Sequence, residues 1–170
     1  MRSLGLVGWG FLLVLLDLNF EHVDVIPDVI GWLMCLAGLG NLPRTGWFLL
    51  ARLGAATGLV SAAAAALDAP YDWFIQTGDF VAQLALVVGI CAGVQPLLAD
   101  ERHRATARAI LTASVGIDLA ALALVLLGGG DTSDLAPIVV PLAIAALAVA
   151  IWFLVFLRRV SRIEPVEATT

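Results

Sequence analysis

The feature that most limits the fold of this chain is its succession of long, nearly uncharged apolar runs. Leu4–Phe20, Val25–Leu42, Gly46–Leu67, Gly78–Ala99, Ala109–Leu127 and Leu135–Leu157 each approach the ~20 residues a helix needs to cross a bilayer. The second is the least apolar at its start, where the strongly hydrophobic part begins only at Val29. The connecting segments are short and polar. With 61% hydrophobic and 14% charged residues, the chain has too little polar surface to cover a water-soluble globule. Backbone groups in hydrocarbon must be satisfied internally, and the alternation of a barrel strand is missing. The sequence therefore predicts an all-α, polytopic transmembrane bundle of six spans arranged as three hairpins. Residues 1–157 form its single transmembrane domain and 158–170 a cytoplasmic tail. No connection is long enough to fold into a soluble enzyme or receptor domain.

Charge sets the expected orientation. All nine basic residues are arginine. If six spans alternate, Arg2, Arg44, Arg102, Arg104, Arg108, Arg158, Arg159 and Arg162 share one side. Asp17, Glu21, Asp24, Asp28, Asp68, Asp72, Asp79, Asp131 and Asp134 share the other. Arginine collects on the cytoplasmic side, so both termini are expected there. The arginine- and alanine-rich composition points to a bacterial inner membrane. Arg2 followed by an apolar run has the outline of a signal peptide. The sequence Asp17-Leu-Asn-Phe-Glu21 is no small-residue cleavage site, so an uncleaved first span is expected. Trp47, Tyr71 and Trp73 fall at span boundaries, where interfacial anchors belong. Trp9, Trp32 and Trp152 lie deeper and read as packing residues.

The outer turns carry a repeated pattern. Leu16-Asp17, Phe20-Glu21 and Pro27-Asp28 align without gaps on Leu67-Asp68, Tyr71-Asp72 and Gly78-Asp79. Glu21, Asp24 and Pro27 align more weakly on Asp131, Asp134 and Pro137. The pattern predicts an internal duplication, with Asp28 and Asp79 both in the first turn of their helices.

Two constellations are candidates for chemistry. The first turn offers Asp17, Glu21, His22, Asp24 and Asp28, joined across the bundle by Asp79. These are ligand types suited to a divalent cation, although the spacing matches no known metal motif. The bland alternative is helix initiation, since carboxylates favour a helix N-terminus. The second candidate is Asp118, near the middle of its span, with Ser114 one turn earlier. A charge there costs roughly 2.5–3.5 kcal/mol on insertion scales, so it should face the bundle and have a partner, with Ser114 placed to hydrogen-bond to it, or be protonated. Arg52, the one arginine inside a span, either snorkels to the cytoplasm or pairs with Asp118. Gly54/Gly58 and Gly89/Gly93 are GxxxG pairs, read as packing between neighbouring spans and, second, as an oligomer contact. The loop Asp100–Arg108 orients the chain and is a secondary candidate for anionic lipid. Cys35 and Cys91 sit in apolar runs and read as packing residues.

The segment Asp17-Leu-Asn, then Asp24-Val-Ile-Pro-Asp-Val-Ile-Gly31, resembles a motif of small uncharacterised bacterial multi-span membrane proteins. These carry Asp-Ile-Asn and then Ile/Leu-Pro-Asp-Phe-Ile-Gly-Tyr; here Val29 and Trp32 replace the usual Phe and Tyr. The resemblance implies a multi-span membrane protein and carries no activity with it. With no Walker loop, dinucleotide glycine pattern, HExxH or GxSxG, no cofactor and no catalytic residue is expected. Two readings remain. One is a non-enzymatic membrane protein acting through lipids, a homo-oligomer or a membrane-protein partner, and not through nucleic acid. The other is a small proton- or cation-coupled transporter or channel using Asp118 and the outer acidic cluster.

Overall fold

The computed structural model describes residues 3–16, 25–67, 72–128 and 136–163. Among these residues all regular structure is helical. The elements are α1 (Ser3–Leu16), α2 (Val25–Gly40), α3 (Gly46–Ala66), α4 (Asp72–Val94), α5 (Glu101–Gly128) and α6 (Ala136–Val160), with a 3₁₀ turn at Gln95–Leu97. Four helices contain stretches long and apolar enough to cross a membrane: Gly46–Ala65, Thr77–Leu97, Glu101–Leu124 and Pro137–Val160. The described parts of α1 and α2 have 14 and 16 residues. At ~1.5 Å per residue both fall short of the ~30 Å hydrocarbon thickness.

Each helix packs on the next, and α6 packs back on α1, closing a ring. Small residues set the tightest approaches, as expected where lipid removes any hydrophobic drive between helices. A Cβ on Gly31 of α2 would stand 2.6 Å from the Gly10 carbonyl of α1. One on Gly89 of α4 would stand 2.6 Å from the Trp47 carbonyl of α3. The GxxxG pairs are thus used inside the chain. Gly54 meets Ala82 and Leu86, Gly93 meets the Phe48 ring, and Gly58 lies under the Trp32 indole.

These contacts also fix which helix ends lie together. Gly38, near the end of α2, meets Ser3 and Val7 at the start of α1. Gly5 and Gly8 meet Ser161 and Leu157 at the end of α6, and Gly89 meets the start of α3. The starts of α1 and α3 therefore gather with the ends of α2, α4 and α6. Every described arginine is at or near this end of the bundle.

Packing is uneven along the bundle axis. The helices α1 to α4 bury residues over most of their described length. Among the residues whose burial is described, α5 buries only Ala107 and Ile110, and α6 only Phe153, Phe156, Leu157 and Val160. All six lie toward the arginine end. The remaining described parts of α5 and α6 are half-buried or exposed, and their outer faces carry Leu119, Leu122, Ile138 and Ile144. A surface this apolar needs lipid or a partner to cover it.

Three expectations are corrected. α4 begins at Asp72 and runs through Thr77-Gly78, so Asp79 lies two turns inside its helix, while Asp28 is in the first turn of α2. The two aspartates are not equivalent, and the duplication they were to mark is not carried further. A glycine inside a helix is costly but tolerated, and here Gly78 sits against the Ser61 hydroxyl, where a Cβ would not fit. Finally, Trp9 and Trp152 are exposed on the bundle surface at 64% and 42%; of the three deep tryptophans only Trp32 is buried.

Candidate functional site

Asp118 lies on the face of α5 that turns into the ring. One helical turn apart, Asp118 and Ser114 share that face and open onto a cavity of about 280 Å³. The cavity is lined by α1, α4, α5 and α6 at the level where α5 and α6 loosen, and it is partly open. Phe11 of α1 and Phe153 of α6 meet edge-on, ring centres 5.4 Å apart and planes at 90°, and both line it. Both rings are buried, placing them on the tightly packed side toward the arginine end. Phe80, Leu84 and Val87 of α4 and Leu147 and Ala150 of α6 supply further apolar wall.

The polar lining consists of Asp118, Ser114 and Gln83. Gln83 is a functional candidate that the sequence reading passed over, although a lone glutamine in Phe80-Val-Ala-Gln-Leu-Ala is itself a signal. Its Nε2 donates to Asp79 Oδ2 at 2.9 Å, one turn nearer the acidic end of α4. Asp79, Gln83, the cavity, Asp118 and Ser114 thus form a polar series down the inside of the ring. No arginine lines the cavity. Among the described residues no hydrogen bond or ion pair reaches the Asp118 carboxylate, which is half-buried, so the partner expected for it in Ser114 or Arg52 is not engaged. The site can accept a proton or hold a small cation, and no charged group among the described residues neutralises it.

Arg52 is committed to the end of α2, at the arginine end of the bundle, and does not pair with Asp118. Its Nε and Nη2 donate to the Leu39 carbonyl at 3.2 and 2.8 Å, and Nη2 also to the Leu42 carbonyl at 2.7 Å. The last carbonyls of a helix lack intrahelical donors, and a cation there also opposes the negative end of the helix dipole. Arg52 therefore closes the end of α2 instead of reaching Asp118. Arg104 does the same after α4, donating from Nε to the Leu98 carbonyl at 2.7 Å. Arg108 donates to Gln95 Oε1 at 3.2 Å and pairs with Glu101 at 3.4 Å.

Asp100 starts α5 as an N-cap: its Oδ1 accepts the Arg102 backbone N–H at 2.9 Å, and Oδ2 lies 2.7 Å from His103 Nδ1. The Arg102 N–H first, and His103 second, hold the Asp100 carboxyl below its ordinary value of 3.8. A carboxylate with a depressed folded value adds stability above its unfolded value. This cap is therefore fully formed above pH 3.8 and weakens only on further acidification.

Of the acidic cluster, Asp17, Glu21, His22 and Asp24 lie outside the described residues. Asp28 and Asp79 are placed on α2 and α4. Among the described residues no group of three or more His, Cys, Asp or Glu side chains is positioned to hold a metal ion. Cys35 and Cys91 are free and buried, as packing residues should be. Against protein-family models, curated proteins and solved structures, the chain finds no match.

Proposed function

We propose that this chain is a non-enzymatic, six-span protein of the bacterial inner membrane, built as three hairpins with both termini cytoplasmic. We infer that it is a small proton- or cation-coupled transporter or channel in which Asp118 is the titrating or cation-binding group. The observation carrying this reading is the cavity beside Asp118, lined by Ser114 and Gln83 and bounded toward the arginine end by Phe11 and Phe153. An ionisable group inside a membrane bundle is expensive, and such groups mark ion or proton pathways. One carboxylate, one hydroxyl and one amide are too few oxygens for a dehydrated Ca²⁺, which takes 6–8. The lining suits a proton or a small organic cation, with the phenyl rings offering cation–π contact. The competing reading, an accessory protein acting through partners or lipids alone, leaves this cavity and its carboxylate without a task.

Proteoliposome flux tests the proposal. Wild-type protein is expected to dissipate an imposed pH gradient, or to take up a small organic ammonium ion. Asp118→Asn should lose at least 10-fold of that flux while folding normally, since Asn hydrogen-bonds like a protonated Asp but cannot release a proton. Equal flux in the two proteins, or none in either, rejects the reading.

A further inference from the structure

A second concavity lies on the outside of the ring, between α1 and α6 at the arginine end, with a volume of about 440 Å³. Gly5 and Gly8 keep its floor open, because a side chain at either would occupy the space in front of Ser161 and Leu157. Its composition changes along the helix axis. At the terminal end stand Arg158, Ser161 and Arg162; about two turns deeper stand Leu12 and Leu154. Trp9, 64% exposed, flanks the middle.

The two arginines differ from three of the others on this end of the bundle, though not from Arg44, Arg102 and Arg159. Arg52, Arg104 and Arg108 are all bound to the chain. The guanidiniums of Arg158 and Arg162 have no hydrogen-bond or ion-pair partner among the described residues, and no carboxylate lines the groove. Two cations with no carboxylate partner among the described residues therefore sit at the mouth of a slot that becomes apolar with depth.

We propose that this groove binds one anionic phospholipid, with its phosphate on Arg158 and Arg162 and an acyl chain along Leu12 and Leu154. The cation-to-apolar gradient matches the headgroup-to-tail gradient of such a lipid. Guanidinium binds phosphate oxygens in a bidentate fork, and tryptophan favours the headgroup level. Basic pockets at the cytoplasmic ends of membrane helices recognise anionic headgroups by the same chemistry. The loop Asp100–Arg108, a lipid candidate by sequence, is the weaker site because Arg104 and Arg108 already serve the α4–α5 junction.

Thermal unfolding in a neutral detergent tests this at fixed ionic strength. Added phosphatidylglycerol should raise the wild-type Tm by roughly 5 °C at a hundredfold excess over Kd, and phosphatidylcholine of the same chains should not. Arg158→Gln/Arg162→Gln should match wild type without lipid, since neither guanidinium holds the fold, and lose the phosphatidylglycerol shift. Arg158→Lys/Arg162→Lys should keep part of it, and Arg44→Gln all of it. Glycerol 3-phosphate, which lacks acyl chains, should give no shift. Retention of the shift by the double Gln variant would overturn the proposal. So would an equal loss in Arg44→Gln, or a full shift from glycerol 3-phosphate alone.

Discussion

Arg52 shows how a single residue's role depends on an element some ten positions away. In sequence it is an arginine inside an apolar run, with two plausible destinations. In the fold its guanidinium is fixed by the unsatisfied carbonyls at the end of α2. Arg52→Gln should destabilise the protein by about 1.5–3 kcal/mol, the usual worth of hydrogen bonds to a charged group, and Arg52→Lys by less. Denaturant or thermal unfolding in detergent reads this out; a loss in flux with unchanged stability would instead place Arg52 on the transport path. Asp118 is the opposite case. Its place on the cavity-lining face of α5 was legible because the insertion cost leaves an ionisable residue few alternatives. Its companion Gln83 was not, because neutral polar residues in spans carry no comparable penalty and attract no attention.

At the scale of helices, the glycines separate packing from propensity. The two GxxxG pairs were legible as patterns, and their use between neighbouring helices follows from the short connections. Gly10, Gly31 and Gly38 fit no such pattern, yet they set the α1–α2 contact. Their importance arises from registration between two helices, which spacing along one helix does not encode. Gly89→Ala should cost about 1–3 kcal/mol, because the new Cβ meets α3 backbone that has no rotamer to yield. Gly116→Ala, in open space on α5, should be neutral or stabilise by up to about 1 kcal/mol. Paired melting curves decide it, and similar effects at the two sites would contradict the packing described for α3 and α4. The duplication failed at this scale too. Aligned outer-turn residues gave a common motif, but α4 continues through Thr77-Gly78 to Asp72, so equal sequence positions occupy unequal helical positions.

For the whole molecule, the separation of charge along the sequence became a separation in space, with the described arginines gathered at one end. Two of these arginines, Arg52 and Arg104, also satisfy backbone carbonyls where α2 and the segment after α4 end. Thr106→Cys should therefore be labelled only after membrane-impermeant reagents gain access to the cytoplasm, and Ser133→Cys in intact cells. Labelling of Thr106→Cys in intact cells would invert the proposed orientation. What the sequence did not convey is the uneven packing: apolar runs of similar composition form tight walls in α1 to α4 and a loose one in α5 and α6. That difference depends on how side chains mesh between helices, and it produces the cavity.

The central claim is that the space beside Asp118 is a solvent-reachable site on the acidic side of the bundle, sealed toward the arginine end. Ser114→Cys, in a background with Cys35 and Cys91 replaced by Ala, tests it most directly. A small, membrane-impermeant thiol reagent should label this position from outside intact cells and not from the interior face of inverted vesicles. Bound substrate cation should slow the reaction. Labelling from neither side would mean that the cavity is a dry packing gap, and the account of Asp118 as a transport residue would fall.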